Sequence, residues 1–455
     1  MKSRLISHQS LASEIEYMSS TKHTELETIA DWVEYIQTLH VREIDLSLDR
    51  VNQVYRRMYP TGVSFKVVTV AGTNGKGSTS ELIYSIYHQA GYKTAKFTSP
   101  HISRFNERFS IADCDVSDEV LLAAFVRVEE FRNDIRITYF EYGVLLAIEL
   151  FEQAKTQVAV IEVGLGGRLD ASNILDADLA IVTSLSIDHV AWLGSTLEQI
   201  GREKIGIARA DAPCLLGLAE PPQSIVDYCR KLSIEPLKLG IDFKVQSKPE
   251  LAYWTWQGGT QTHLDLPLPF GQRGHQLSNA ALAVQAVESM LESFPVNHDE
   301  ICRGISEARL AGRCQTVSKS PYIVLDVAHN VSSIAGLLEF IQGLKIEGQV
   351  HAVCGMLADK QITESLSQLL PLVDFWHLAT IDNIRSAQAR DIQDLLQDVW
   401  SKSPLQTDFQ SQTYATIVSA FQAAKQRLQR DDCLIVFGSF FVVSDIIALT
   451  NGQDD

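Results

Sequence analysis

At 455 residues the chain is longer than a single hydrophobic core usually fills, so two domains are expected. Hydrophobic residues at 45% and charged residues at 21% exclude the fibrous and disordered classes. A formal net charge of −17 speaks against a nucleic-acid partner, because phosphate backbones are held by clustered Lys and Arg. The 7 cysteines are scattered and never spaced as C-x-x-C, which fits reduced thiols rather than a disulfide framework or a zinc knuckle. Without a long apolar run there is neither signal peptide nor membrane span to expect, and the chain reads as a cytoplasmic, unanchored monomer.

Residues 1–24 read as a polar tail. From Leu26 to Leu39 apolar residues recur at helical spacing, and EIDLSLDRV, Glu43 to Val51, reads as the capped start of a second helix. The stretch Phe65 to Ser80 then gives a buried strand, Val67 to Ala71, a glycine turn, and a helical pattern through Tyr87. That order presents backbone N–H groups and a positive helix end to a phosphate. Gly72, Gly75 and Gly77 allow close approach, Lys76 can reach the outer phosphates, and Ser78 or Thr79 can carry a hydroxyl to a magnesium ion. The spacing departs from G-x-x-x-x-G-K-[ST], and the alternative is an ordinary glycine turn, which would need neither the lysine nor the hydroxyls.

A strand is expected over 93–98, broken at Ser99-Pro100 into a polar loop through Arg108. Helices near 118–132 and 140–154 lead to a buried strand at Val158 to Val163. The following GLGGRLDASN lacks the last glycine of a dinucleotide fingerprint, since Leu169 stands there. Another strand covers Leu179 to Leu185, then come SIDHVAWLG and a helix near 197–208. Short strand-like pieces fill 212–270, and a helix follows from Ser278 to Ser293.

The text turns polar over 298–313, and the domain boundary is placed there, giving units of 25–305 and 306–455. Beyond it, strands at 322, 350, 375 and 433 alternate with helices at 332–344, 361–370, 386–400 and 412–428. Such alternation predicts a parallel sheet with helices on both faces, so both units are α/β.

Ser99, Glu162 and His189 each stand at or just beyond the carboxyl end of an expected strand, the edge where open α/β sheets bind ligands. Together they are an oxygen-rich set suited to magnesium. Singly they also read as a turn former, a surface carboxylate and a loop histidine. Lys204, beside Glu203, reads equally as a solvated side chain paired with an acid.

The segments AGTNGKGST, TSPHISRFNER, TYFEYG, EVGLGGRLDASN, SLSIDHVAWLG, REKIGIAR, LAGR, LDVAHN and FGSF resemble, in order, those of the dihydrofolate synthase and folylpolyglutamate synthase family within the Mur-ligase superfamily. The likeness spans roughly residues 43–441 and is nearest to the bacterial bifunctional form. It implies a P-loop ligase domain followed by a smaller Rossmann-like Mur-ligase C-terminal domain, with ATP in the cleft between them. It further implies that Thr73, Asn74, Gly75, Lys76, Gly77 and Ser78 hold phosphates, and that Ser99, Glu162 and His189 coordinate Mg2+. A monovalent cation is a further expected ion.

By the same resemblance Lys204 is N6-carboxylated, and Asn279, Arg313 and Asp326 hold the nucleotide. His329 stands near the incoming L-glutamate, as a catalytic residue with Lys76 and Lys204. The pterin would touch Glu43, Ile44, Asp45 and Leu46, then Thr138, Tyr139, Phe140 and Glu141, then Leu169, Asp170 and Ala171, beneath the 99–108 loop. The family pattern is departed from at Cys314, at Val331-Ser332-Ser333 and at Phe441.

The implied reaction is ATP-dependent addition of L-glutamate to dihydropteroate, tetrahydrofolate or both. ATP first phosphorylates the acceptor carboxylate, because a free carboxylate is a poor acyl donor, and the amine then displaces phosphate. Two rivals are a uridine-linked muramyl ligase and a P-loop ATPase switch. The first should carry another N-terminal domain, for which the roughly 40 residues before EIDL are too few.

Overall fold

The computed structural model describes residues 26–42, 44–247, 253–270, 274–403 and 409–451. The expected polar tail over 1–24 and Glu43 lie outside the described residues.

The first domain is built on an eight-stranded sheet. Its strands are β1 Lys66–Ala71, β2 Thr94–Phe97, β3 Phe109–Ile111, β4 Cys114–Asp115, β5 Val158–Glu162, β6 Leu179–Val182, β7 Cys214–Leu216 and β8 Leu237–Lys238. The order is β4-β3-β2-β5-β1-β6-β7-β8, parallel from β2 to β8, with β3 and β4 added antiparallel at one edge. Strand β1 is central, with Val70 opposite Glu162 on one side and Ile181 on the other. Burial on both faces explains why these strands read as continuous apolar runs rather than alternating ones. The loops after β1, β2, β5 and β6 all leave from one edge, where the order also reverses about β1.

Helix Lys76–Gln89 follows β1 and is buried from Gly77 to Tyr87. Helices His275–Ser289 and His298–Glu307 cover its outer side, so this helix is buried all round, its small hydroxyls and Glu81, paired with Lys96, being the polar exceptions. Each of the fully buried Leu82, Ile83 and Ile86 contributes roughly 1.5–3 kcal/mol by leaving water. The polar 298–313 text is thus largely a helix capped by Asn297 and docked on the first domain, with Ile301 and Ile305 turned inward. Gly304 makes that docking close: Ser85 donates to its carbonyl at 2.7 Å. A Cβ at Gly304 would lie 2.6 Å from Ile86 Cγ1 and 2.7 Å from the Ile86 nitrogen. Gly304→Val is therefore expected to cost about 1–3 kcal/mol of stability, read as a lowered Tm; an unchanged Tm would show that the helices separate freely.

A three-stranded antiparallel sheet, β9 Phe243–Ser247, β10 Tyr253–Gly258 and β11 Gln261–Pro267, completes this domain. It buries Trp254 and Trp256 against helix His275–Ser289 and its neighbours.

The second domain holds β12 Gln315–Lys319, β13 Tyr322–Leu325, β14 Val350–Cys354, β15 Phe375–Ala379, β16 Ser411–Tyr414 and β17 Cys433–Phe437. Their order is β12-β13-β17-β14-β15-β16, parallel except for the β12 edge. Apolar clusters on both faces lie under helices Val331–Gly343, Ala389–Ser401, Ile417–Arg427 and Phe440–Asn451. The α/β class and the two-domain arrangement agree with the sequence reading.

Several local expectations are corrected. The 412–428 helix is strand β16 followed by helix Ile417–Arg427, because SQTY forms a polar sheet edge. The second N-terminal helix starts at Asp49, inside the expected Glu43–Val51 stretch, but Leu48 before it supplies no side-chain cap. The 212–270 stretch contains an amphipathic helix, Gln223–Lys231, beside its strands. Among the described residues no helix is long and apolar enough to cross a membrane.

Candidate functional site

The turn after β1 runs through Gly72, Thr73, Asn74 and Gly75 into helix Lys76–Gln89. Gly75 has φ +85°, and a Cβ there would collide with the Asn279 side chain; Gly72, at φ +150°, lies equally close to Thr183. The turn is fastened to the residues after β6. Thr73 N–H donates to the Ser184 carbonyl at 2.8 Å, Asn74 N–H to Ser184 Oγ at 3.1 Å, and the Thr183 hydroxyl to the Asn74 carbonyl at 2.7 Å. The first bond within the helix joins Thr79 N–H to the Gly75 carbonyl at 2.9 Å. The amides of Lys76, Gly77 and Ser78 therefore lack helical partners and point their positive ends into the turn.

Two lysines converge on the Gly72 carbonyl. Lys76 Nζ donates to it at 3.2 Å and to the Thr73 carbonyl at 3.2 Å, and Lys204 Nζ donates to it at 2.8 Å. Among the described residues neither ammonium has a carboxylate within ion-pair reach. Burial depresses both, and for Lys204 burial and the Lys76 charge together push the amine down to about 7. The solvated reading of Lys204 is thus corrected: the side chain is 3% exposed, and Glu203 pairs instead with Arg168 at 2.8 Å.

Glu162, at the end of β5, is buried too, so the surface-carboxylate reading is also corrected. It accepts from Ser99 N–H at 3.1 Å. Burial raises its pKa, while Lys76, the Ser99 N–H and Arg313 pull it down. Carboxylate and hydroxyl oxygens at this point suit a hard divalent ion. His189 is exposed, with φ +50°, and among the described residues no hydrogen bond joins its ring to Glu162. Among the described residues no group of three His, Cys, Asp or Glu converges, so hydroxyls, water and nucleotide oxygens would complete the shell of such an ion.

The second domain reaches the turn directly. Asn74 and Asn330 exchange amide bonds, Nδ2 to Oδ1, at 3.2 and 3.1 Å. Asp188, just beyond β6, accepts from Lys360 Nζ at 2.7 Å and Asn330 Nδ2 at 3.2 Å, with His329 Nε2 at 3.8 Å. Burial would raise Asp188, but Lys360 and the flanking histidines hold it well below the usual carboxylate range. His329 Nδ1 donates to the Val327 carbonyl at 2.7 Å, which leaves Nε2 as the free nitrogen, and burial pushes the ring down to about 4. Asp188, Asn330 and Lys360 were missed in the sequence; their position beside the DH and AHN segments was the available signal.

Asn279 lies against the turn, as described, and Arg313 stacks over Phe440 at 5.3 Å, its charge acting on both Lys76 and Glu162. Asp326 accepts from Cys314 N–H and Ala328 N–H, each at 2.7 Å, and so shapes the backbone beside Arg313.

The expected pterin residues fall into two groups. Arg50 joins Asp45, at 3.1 Å, to Glu141, at 2.9 Å, which brings the segment holding Ile44 and Leu46 to the helix that begins at Tyr139. Thr138 and Glu141 cap that helix reciprocally, although among the described residues Glu141 Oε1 is buried without a hydrogen-bond partner. Phe140 packs on Phe97 and fills the space a Cβ at Gly164 would need. Asp170 is engaged by Leu165 N–H at 2.9 Å and by the Ser172 N–H and hydroxyl, so its carboxylate holds its own loop between Leu169 and the buried Ala171. A further missed residue is Arg108. It is 6% exposed, lies over the Phe105 and Tyr139 rings, and donates to His101 Nδ1 at 2.8 Å.

With this geometry in view, similarity to known proteins is informative. Residues 70–216 match the Mur ligase middle domain, and 312–440 match the Mur ligase glutamate ligase domain. The chain is 36% identical to an Escherichia coli K12 dihydrofolate synthase/folylpolyglutamate synthase, over 93% of this chain and 96% of that one. It resembles the solved E. coli FolC in complex with DHPP and ADP, with a TM-score of 0.87 at 36% identity, covering 94% of this chain and 99% of that one. It also resembles the Yersinia pestis bifunctional folylpolyglutamate synthase/dihydrofolate synthase complexed with AMPPNP and Mn ion, with a TM-score of 0.85 at 36% identity and coverage of 95% and 100%.

Proposed function

The chain belongs to the dihydrofolate synthase/folylpolyglutamate synthase family, and from that premise we propose how its own residues carry out ATP-dependent ligation of glutamate to a folate acid. The observation that carries the reading is the meeting of Lys76 and Lys204 on one carbonyl beneath a turn rich in free N–H groups. Lys76, an ammonium that among the described residues has no carboxylate within ion-pair reach, calls for a polyanion such as a triphosphate, while Lys204 beside it is held near neutrality.

Thr73 to Ser78 cradle the phosphates, with Asn279 fixing the turn at Gly75. Arg313 and Phe440 flank the nucleotide from the second domain, and Asp326 sets the backbone there. Glu162 and Ser99, with His189, would hold a divalent ion, which would supply charge neutralisation for phosphoryl transfer when bound. Lys76 stabilises the charge on the transferred group. Lys204, held near neutrality, adds as its neutral amine to carbon dioxide, forming the N–C bond and releasing one proton to solvent to leave a carbamate. The product is an anion beside Lys76, which removes the repulsion between two ammonium groups. A monovalent cation beside the carbamate and a monomeric, cytoplasmic enzyme belong to the same reading.

The acceptor lies along Tyr139, Phe140 and Leu169, with Glu141 Oε1 free to accept from a ring N–H and Asp45 closing the far side. Arg108, which among the described residues has no carboxylate within ion-pair reach, meets the acceptor carboxylate. On the other side His329, Asn330 and Lys360 receive glutamate, Lys360 serving its carboxylate and His329 Nε2 lying free toward its amine. Closure of the two domains keeps water from the acyl phosphate.

A coupled phosphate-release assay tests this. Release is expected with dihydropteroate or tetrahydrofolate only when L-glutamate and Mg-ATP are both present, and not with a uridine-linked muramyl acid. ATP hydrolysis indifferent to glutamate would favour a switch and end the ligase reading.

A further inference from the structure

Away from the turn, four side chains form a line across β11 and two helices. Cys302 Sγ lies 3.4 Å from His298 Nε2, His298 Nδ1 lies 3.2 Å from His263 Nδ1, and His263 Nε2 lies 2.7 Å from Glu288 Oε1. The two imidazoles stack with an interplanar angle of 7° and centroids 5.4 Å apart. Glu288 sits about 14 Å further along its helix than Asn279, so the line is separate from the nucleotide site.

The chemistry of the groups fixes the direction of the line. A carboxylate only accepts, so His263 carries its proton on Nε2 and offers a lone pair at Nδ1. His298 must then donate from its Nδ1–H, which leaves its Nε2 lone pair facing Cys302 Sγ. We propose that His298 Nε2 and Cys302 Sγ chelate a borderline or soft divalent ion of the zinc type, with His263 and Glu288 orienting the imidazole. Three observations support the pairing. The two residues are i and i+4 on helix His298–Glu307, on one face. Tetrahedral bonds of about 2.1 Å to nitrogen and 2.3 Å to sulfur put those atoms roughly 3.5 Å apart, close to the spacing found here. A metal-bound histidine characteristically donates its other N–H to a backing group, and His263 backed by Glu288 is such a group.

His298 is exposed, so an ion can enter. Binding replaces the thiol proton: the S–H bond breaks, the proton leaves to solvent, and bonds from sulfur and nitrogen to the ion form. Among the described residues no third protein donor joins the pair, so water fills the remaining positions.

Co2+ added to the full chain in the presence of Mg-ATP, which occupies the nucleotide site, tests the assignment. The expected result is a thiolate-to-cobalt charge-transfer band that saturates at one ion per chain. It is lost in Cys302→Ser and in His298→Gln, and its titration midpoint shifts about 10- to 100-fold in Glu288→Gln. Thermal unfolding without cobalt checks that each variant folds, and exposed His298 tolerates replacement even if Cys302 does not. No band, or a band retained in Cys302→Ser or His298→Gln, would overturn the site.

Discussion

Lys76→Ala is expected to lower kcat for glutamate-dependent phosphate release by at least about 10²–10³-fold, the usual loss when a group aimed at developing charge is removed. The protein should remain folded, because Lys76 contributes only two bonds to carbonyls of its own turn, each at 3.2 Å. Its removal also relieves a buried ammonium that burial already disfavours. Near-parent turnover, with a parent-like Tm, would mean that the turn does not handle the transferred phosphoryl group.

The second large effect concerns Lys204. Its amine is pushed down to about 7, so the neutral form dominates above that pH and is lost as pH falls through it. Carbamate formation needs that neutral form, and should fade in the same direction. In 13C-labelled bicarbonate the protein should show a carbamate carbon resonance that weakens below pH 7 and is missing from Lys204→Arg. The same variant, permanently charged and unable to react, is expected to lose roughly 10- to 100-fold in kcat. A Lys204→Arg enzyme as active as the parent, with no resonance in either protein, would dispose of the modification.

What could be read from the residues, and what could not, follows from the range of the interactions. The strand, glycine turn and helix around Lys76 were legible because each step is local: an apolar run, glycines where positive φ is required, then a helix start. Glu162 and Ser99 were legible as strand ends, and the structure joins them through one hydrogen bond. Lys204 was not, since REK on an amphipathic helix looks like a solvated face, and its burial comes with a bond to the Gly72 carbonyl across 132 residues. The Asp188 to Lys360 pair spans 172 residues, and no local pattern carries such a contact. Arg108 stood in a polar loop whose burial depends on Phe105 and Tyr139 folding over it. Strand β16 failed for another reason: a polar edge strand lacks the alternation that marks a half-buried one.

The docking of helix His298–Glu307 on Ile86 bears on how the molecule can be divided. A truncation made at residue 298, where the letters turn polar, would strip a lid from the nucleotide helix and leave Ile86, Ile301 and Ile305 facing solvent on the two fragments. The serviceable cut lies after that helix, in the short passage before Gln315, and a first fragment ending there would keep its hydrophobic interior whole.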